Sequence, residues 1–198
     1  AFAQTEDLGK YILKEGYLKV HIEKIIDLKE VDVKAIGEQK FKIAVDVINS
    51  TGGYAVPRLL KYLGVEQVTV INGEVNGEFA HNPEPVPENL AQLTETVKNG
   101  DFDMGIAVDP DVDRLAFISE DGTPFGEEYT LVAVADYILS QQKGTTVSNM
   151  SSSMALREVT EARGGEYFSA PVGEVNVVNT MKEKNAIIGG EGNGGVIF

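Results

Sequence analysis

Three aspartates alternate with other residues in the run Asp109-Pro110-Asp111-Val112-Asp113-Arg114. Carboxylates packed this closely repel one another unless a cation lies among them. The ligands on offer are hard oxygens and the chain contains no cysteine, so the ions that fit are Mg²⁺, Mn²⁺ or Ca²⁺ rather than zinc or copper. The run therefore predicts a divalent-metal site at Asp109, Asp111 and Asp113, with the guanidinium of Arg114 beside it.

Two other interpretations of this acidic run stay open from the residues alone. Its aspartates occupy the first, third and fifth positions of a calcium loop of the EF-hand type, and Glu120 occupies the twelfth. Position six of such a loop is a glycine, however, and here it is Arg114; the flanking segments also have the pattern of strands rather than helices. The other interpretation is a solvated acidic turn without a ligand, which Arg114 and the apolar flanks disfavour.

The segments on either side of the acidic run, residues 102–108 and 115–118, are apolar and predict strands. The three carboxylates would then lie on a short loop between two strands. Pro110 fixes its own φ angle and biases Asp109 toward an extended backbone. We therefore expect the loop to hold one shape before a metal binds.

The overall composition is that of an ordinary globular protein, with 42% hydrophobic and 24% charged residues among 198. A net charge of −14 disfavours nucleic acid and anionic membranes as partners, because both are bound through Lys and Arg. The lack of Cys excludes disulfides, zinc knuckles and thiol catalysis. The N-terminus lacks the basic and apolar regions of a signal peptide, so a cytoplasmic location is expected. The chain begins without Met and stops inside an apolar run, and we expect it to be a piece of a longer protein.

Strand and helix patterns alternate along the chain, which predicts an α/β fold: two consecutive α/β/α domains with mostly parallel, mixed sheets. Two or three helices are predicted within residues 5–39, where they would cover a sheet. The other predicted helices are 54–63, 88–97, 128–141, 153–163 and 174–184. The predicted strands are 41–48, 68–71, 102–108, 115–118, 145–150, 167–170, 186–188 and 196–198. The turn-rich break at 121–126 places the predicted domains at 1–125 and 126–198.

A glycine-rich loop is predicted at residues 189–195. Its spacing is wrong for a dinucleotide-binding fingerprint, and a strand follows it where a helix should begin. Its backbone N–H groups could approach a polar ligand while Glu191 accepts hydrogen bonds from sugar hydroxyls. The alternative is a glycine hairpin with an incidental Glu.

The remaining candidates have weaker signals. The turn 49–53 could hold a phosphate at a helix N-terminus, although such a turn is more often a plain connection. Ser148 and the run 151–153 lie far from either histidine, so no catalytic triad can be argued, and Ser152 or Ser153 is expected to cap the next helix. His81, among prolines, is expected to be a turn residue, and His21 a structural one.

Four segments in this order resemble the α-D-phosphohexomutases, the family that includes phosphoglucomutase and phosphomannomutase. They are Asp109 to Arg114, His81-Asn82-Pro83-Glu84-Pro85, Pro171-Val172-Gly173-Glu174 and Gly190-Glu191-Gly192-Asn193-Gly194. The resemblance covers nearly the whole chain. Members of the family have four domains, and this chain resembles the second, which bears the metal loop, and most of the third, which contacts the sugar.

The resemblance implies an enzyme that moves a phosphoryl group reversibly between the 1- and 6-positions of a hexose, through a phosphoserine and a bisphosphorylated sugar. Asp109, Asp111 and Asp113 would bind Mg²⁺, which also touches the phosphoserine, and Arg114 would contact the phosphoryl oxygens. The loops at Gly173 and Glu191, with Asn193, would orient the hexose phosphate.

The chain departs from the family pattern in two ways. Where many members have Ser and His in the Gly-Glu-x-Ser-Gly-His motif, this chain has Asn193 and Gly195. The phosphoserine loop and the fourth domain, which grips the substrate phosphate, are missing from the sequence, so the chain is expected to be inactive alone and to act with those domains of its parent. The alternatives are a non-catalytic metal- or sugar-binding module, or a mutase acting on phosphoglucosamine or a phosphopentose.

Overall fold

Two four-stranded sheets flanked by helices make up residues 2–198, the part of the chain that the computed structural model describes. The strands are β1 Lys42–Asp46, β2 Gln67–Ile71, β3 Met104–Val108, β4 Leu115–Ser119, β5 Thr145–Asn149, β6 Glu166–Ala170, β7 Ile188–Gly190 and β8 Val196–Ile197. The α-helices are α1 Tyr17–Ile26, α2 Val33–Gln39, α3 Gly52–Tyr62, α4 Ala91–Asn99, α5 Glu127–Gln141, α6 Ala155–Ala162 and α7 Glu174–Lys184. The predicted α/β class is confirmed.

The first sheet has the strand order β2-β1-β3-β4, with β1 parallel to β2 and β3, and β4 antiparallel at the edge. Alternate residues of β1 face opposite layers, as the two-residue period of a strand requires. Ile43 and Val45 pack with Leu60 of α3 on one face. Ala44 packs with Leu93 of α4 on the other. With both faces covered, the sheet places the carboxyl ends of β1, β2 and β3 at one edge.

The second sheet repeats this arrangement with the order β6-β5-β7-β8 and an antiparallel β8. Val147 of β5 packs with Val177 of α7 on one face. Ile188 of β7 packs with Leu131 of α5 and Leu156 of α6 on the other. Each such fully buried aliphatic side chain contributes about 1.5–3 kcal/mol to folding. The division between residues 125 and 126, which lies between β4 and α5, stays a prediction.

The N-terminal helices contribute less to the core than the sequence pattern suggests. Helix α1 packs against α3 and buries Ile22. Helix α2 adds Ile36 to the core of the first sheet. Within residues 2–198, no helix has the length and apolar character needed to cross a membrane.

The glycine-rich loop begins later than predicted, because Gly189 and Gly190 belong to β7. A Cβ atom on Gly190 would lie 3.2 Å from the Leu131 side chain and would collide with the backbone oxygen of Gly195. A Cβ atom on Gly189 would lie 2.6 Å from the sulfur of Met181. Glycines at these two positions allow a crowded strand, where the sequence pattern predicts part of a loop.

Candidate active site

The acidic loop connects the end of β3 to the start of β4, as predicted. Asp109 is completely buried, and its Oδ1 accepts hydrogen bonds from the backbone N–H groups of Asp113 at 3.0 Å and Arg114 at 3.1 Å. Val112, at the tip, has a φ of 66°, a left-handed conformation that is unfavourable for a β-branched residue. Such backbone strain costs about 1–3 kcal/mol and is concentrated at functional sites.

The three predicted metal ligands come together in this loop. One carboxylate oxygen from each of Asp109, Asp111 and Asp113 lies within 4.8 Å of the other two. Asp109 is buried while the other two carboxylates are exposed. The cluster therefore has one carboxylate fixed in the protein interior and is open to solvent on the opposite side. A set of hard oxygens with this spacing fits Mg²⁺, Mn²⁺ or Ca²⁺.

The protonation behaviour of the cluster reflects its crowding. Burial would raise the pKa of Asp109, but hydrogen bonds from the backbone and side chain of Arg114 and from Asp113 lower it overall. Partial desolvation, the hydrogen bond with Asp109 and the charges of Asp109 and Asp111 raise the pKa of Asp113 to about 6. At neutral pH the carboxylate of Asp109 is therefore ionised, while that of Asp113 takes up a proton when the pH falls through about 6.

Arg114 lies between two carboxylates. Its Nε donates to Asp109 Oδ2 at 2.8 Å, and its Nη1 donates to Glu84 Oε2 at 2.6 Å. Nε also lies 3.5 Å from Asp113 Oδ1. Burial would lower the pKa of Arg114, but the hydrogen bonds to Glu84 and Asp109 raise it above its usual range, so the guanidinium stays charged.

The turn after β1 supports the acidic loop. The hydroxyls of Ser50 and Thr51 both donate to the carbonyl oxygen of Pro110, at 2.8 and 2.7 Å. These two hydroxyls, and the backbone N–H groups of Ser50 and Gly53, all donate to protein oxygens, which favours the interpretation of turn 49–53 as a connection over that of a phosphate cradle.

His81 makes a contact that the sequence pattern did not indicate. Its Nδ1 lies 2.8 Å from the carbonyl oxygen of Asn82, and its Nε2 lies 2.9 Å from Oδ2 of Asp46, which is 1% exposed. Both ring nitrogens thus lie within hydrogen-bonding distance of an oxygen, one from the backbone and one from a buried carboxylate. Asn72 Nδ2 donates to the same carboxylate at 3.1 Å. His81 and Asp46 are 35 positions apart, so only the fold brings them together.

The glycine-rich loop places Glu191 against the end of β5. Its Oε1 accepts from Asn149 Nδ2 at 2.7 Å and from the backbone N–H of Gly173 at 3.2 Å. Asn149 is 2% exposed and accepts from the hydroxyls of Ser151 and Ser152 at 2.9 and 3.0 Å. The backbone N–H of Gly173 is therefore used to orient Glu191.

A cavity of about 440 Å³ lies between the acidic loop and the glycine-rich loop. Its lining includes Asp111, Asp113, Arg114, Glu174, Glu191 and Asn193. The structure thus brings most of the predicted site residues to one cavity. Asp109 and Gly173 are absent from the lining, and Glu174, which was not among the predicted site residues, takes part.

The serines predicted to lack a catalytic role make structural contacts. Ser148 shares a hydrogen bond with the hydroxyl of Tyr167 at 2.9 Å. The hydroxyl of Ser153 accepts from the backbone N–H of Ala155 at 3.1 Å, at the start of α6. His21, expected to be structural, is exposed on α1.

Models of a single protein family match most of the chain. The model for phosphoglucomutase/phosphomannomutase, alpha/beta/alpha domain II, matches residues 19–122. The model for domain III of the same family matches residues 126–198.

Several proteins are similar over nearly the whole chain but are longer than it. A phosphoglucomutase/phosphomannomutase of Thermococcus kodakarensis is 37% identical over 198 residues, which cover 99% of this chain and 42% of the relative. A protein of Methanopyrus kandleri named "Probable phosphoglucosamine mutase" is 36% identical over 195 residues, covering 98% of this chain and 42% of the relative. A crystal structure of a phosphoglucomutase/phosphomannomutase family protein from Burkholderia thailandensis matches with a TM-score of 0.80 and 28% identity, over 91% of this chain and 39% of that one.

Proposed function

The chain belongs to the phosphoglucomutase/phosphomannomutase family, and on that premise we propose that the complete protein containing it moves a phosphoryl group reversibly between the 1- and 6-positions of a hexose. The chain spans about 42% of the length of the relatives it matches. The activity is therefore proposed for the longer protein, with the nucleophilic serine and the substrate-phosphate contacts supplied by domains outside this chain. Its location is proposed to be cytoplasmic.

One observation carries the proposal: a single cavity is lined by a charged loop suited to a phosphoryl group and by a loop suited to a sugar. Phosphoryl transfer depends on positioning and charge neutralisation more than on covalent chemistry by side chains. The acidic loop offers a cation site and a guanidinium, and the glycine-rich loop offers a carboxylate that can accept from hydroxyls.

We assign the metal to Asp109, Asp111 and Asp113, with Mg²⁺ as the ion, because three carboxylates with an open side leave room for a phosphoryl oxygen. When bound, Mg²⁺ supplies neutralisation of phosphoryl charge. Arg114 uses Nε on Asp109 and one N–H of Nη1 on Glu84, which leaves Nη2 and the second N–H of Nη1 as donors for a phosphoryl oxygen.

The sugar side of the cavity is assigned to Glu191 and Asn193. One oxygen of Glu191 is occupied by Asn149 and Gly173, so the other can accept from a sugar hydroxyl. Asn193 can donate and accept, which lets it replace the serine that many family members carry. Gly173 acts indirectly, by orienting Glu191.

Phosphoglucosamine is a second candidate substrate. Beyond the proposed metal ligands, the cavity exposes the carboxylates of Glu174 and Glu191, which attract an ammonium group such as that of a 2-amino sugar. The relative from Methanopyrus kandleri is named for that activity.

Turnover by the complete protein tests the proposal. With Mg²⁺ present, the 1-phosphates of glucose, mannose and glucosamine would be compared, beside an Asp111→Asn variant. We expect conversion of at least one sugar and its loss in the variant. Conversion of none of them by a folded, serine-phosphorylated protein would refute the hexose assignment and favour a phosphopentose or a binding module.

A further inference from the structure

We infer that Glu84 is a positioning residue for the metal site: it binds Nη1 of Arg114 and so limits how many N–H groups of this guanidinium can bond to the aspartates. The inference rests on the proposed metal assignment, but not on mutase activity. The residues involved are the acidic loop and a proline-rich segment, residues 81–90, which lies about 20 to 30 positions upstream.

Arg114 has two partners with opposite consequences for a cation. Through Nε it bonds to Oδ2 of Asp109, and Asp113 lies 3.5 Å away, so the guanidinium already competes for the oxygens that would ligate a metal. Through Nη1 it bonds to Glu84 at 2.6 Å. The side chain of Arg114 is 24% exposed and that of Glu84 is 53% exposed, so the pair is shielded from solvent on the arginine side only.

Without Glu84, both electrostatics and geometry would weaken metal binding. The positive charge of Arg114 would no longer be offset, and it would repel a divalent ion nearby. Nη1 would also be free to turn toward Asp109 and Asp113 and form a forked pair with them. Both effects weaken metal binding, so we expect weaker binding whichever of the two is larger.

Local hydrogen bonds hold the backbone of Glu84 in place. Its backbone N–H donates to Asn82 Oδ1 at 3.2 Å, and its carbonyl oxygen accepts from Asn89 Nδ2 at 2.8 Å and Val86 N–H at 2.9 Å. The segment is attached to the first sheet through His81, which contacts the buried Asp46 at 2.9 Å. An ordinary surface ion pair between two flexible side chains would lack these constraints.

The test is Mn²⁺ affinity, measured by electron paramagnetic resonance of the free ion. Glu84→Gln keeps the shape of the side chain and removes its charge. We expect Mn²⁺ to bind on the order of tenfold more weakly, the low end of the range for residues that orient metal ligands. Glu88→Gln, which removes an exposed carboxylate of the same segment, should change the affinity much less.

The same substitution in an Arg114→Gln protein distinguishes an effect that acts through Arg114 from a general effect of removing the Glu84 charge. In an Arg114→Gln protein, adding Glu84→Gln should leave Mn²⁺ affinity unchanged, because the inferred route passes through the guanidinium. Equal loss of affinity in the wild-type and Arg114→Gln proteins, equal loss in Glu88→Gln, or a wild-type chain that binds no Mn²⁺ would each overturn the inference.

Urea unfolding of each variant shows whether a loss of Mn²⁺ affinity reflects a loss of folding. Absence of mutase turnover would refute the proposed function and leave this result unaffected.

Discussion

The backbone N–H of Leu115 donates a hydrogen bond to the carbonyl oxygen of Gly194 at 3.2 Å. This bond and the antiparallel bridge between Arg114 and Gly195 connect the end of the acidic loop to the glycine-rich loop. The hydroxyl of Thr130 also donates to the carbonyl oxygen of Leu115 at 2.9 Å. The two loops that line the cavity are thus joined through backbone.

The junction depends on Gly194. It has a φ of 92°, and a Cβ atom there would lie 2.5 Å from the carbonyl oxygen of Leu115. We expect Gly194→Ala to lower the free energy of unfolding by about 1–3 kcal/mol, because both the conformation and the contact become unfavourable. Urea unfolding would measure the loss.

Gly195→Ala is the matched control for this prediction. Its added Cβ would lie 3.2 Å from the exposed side chain of Asn193, which can move, so we expect a change below about 1 kcal/mol. Similar losses in the two variants would contradict the importance of the Leu115 contact.

Asp113→Asn is expected to stabilise the metal-free chain in a pH-dependent way. The pKa of Asp113 is raised from 3.8 to about 6 in the folded state, so above pH 6 this carboxylate is ionised against its neighbours at a cost to folding. Asn removes the cost. The advantage of the variant should be largest at pH 7.5, shrink as the pH falls through about 6, and vanish near pH 4.

Urea unfolding in the presence of a chelator, at pH 7.5 and pH 5, would measure this advantage. Glu88→Gln controls for removal of one negative charge from a chain with a net charge of −14. A variant less stable than wild type at pH 7.5, or a difference independent of pH, would be evidence against the crowding of the three aspartates.

The support of the acidic loop by the turn after β1 leads to a third prediction. A Ser50→Ala/Thr51→Val protein loses both hydroxyls that donate to Pro110, and each such hydrogen bond contributes about 0.5–1.5 kcal/mol. We expect lower stability together with weaker Mn²⁺ binding. Thr180→Val, whose hydroxyl bonds within α7 to Asn176, should lower stability without changing Mn²⁺ affinity. Unchanged Mn²⁺ affinity in the double variant would mean that the loop holds its shape unaided.

The contact between Asn149 and Glu191 leads to a fourth prediction. Asn149→Asp would place a second carboxylate 2.7 Å from Glu191 Oε1, and the unpaired repulsion should cost about 3–5 kcal/mol at neutral pH. Adding Glu191→Gln restores a donor between the two positions and should recover part of the stability. No recovery in the double variant would indicate that the loss comes from the buried surroundings of Asn149 rather than from the pair.

Local patterns in the sequence were sufficient for the fold class and for the composition of the acidic loop. Apolar runs with a two-residue period, such as residues 102–108, and the spacing of helix-facing residues are properties of neighbouring positions. For the same reason the spacing of Asp109, Asp111 and Asp113 was enough to predict that three carboxylates meet in one loop, which the structure bears out, while their role as a cation site stays a prediction. The glycine loop was partly misjudged, because Gly189 and Gly190 become strand residues by pairing with β5, which lies about 40 positions upstream, and with β8.

Only the tertiary structure decided which residues from distant segments meet. The pairs His81 with Asp46, Glu84 with Arg114, and Asn149 with Glu191 are separated by 35, 30 and 42 positions. None of them follows a helix or strand period. They form because parallel strands of a sheet end at a common edge, so loops far apart in the chain are brought to one place. The sequence by itself thus determined the chemical groups of the site, while the fold decided how those groups are oriented and charged.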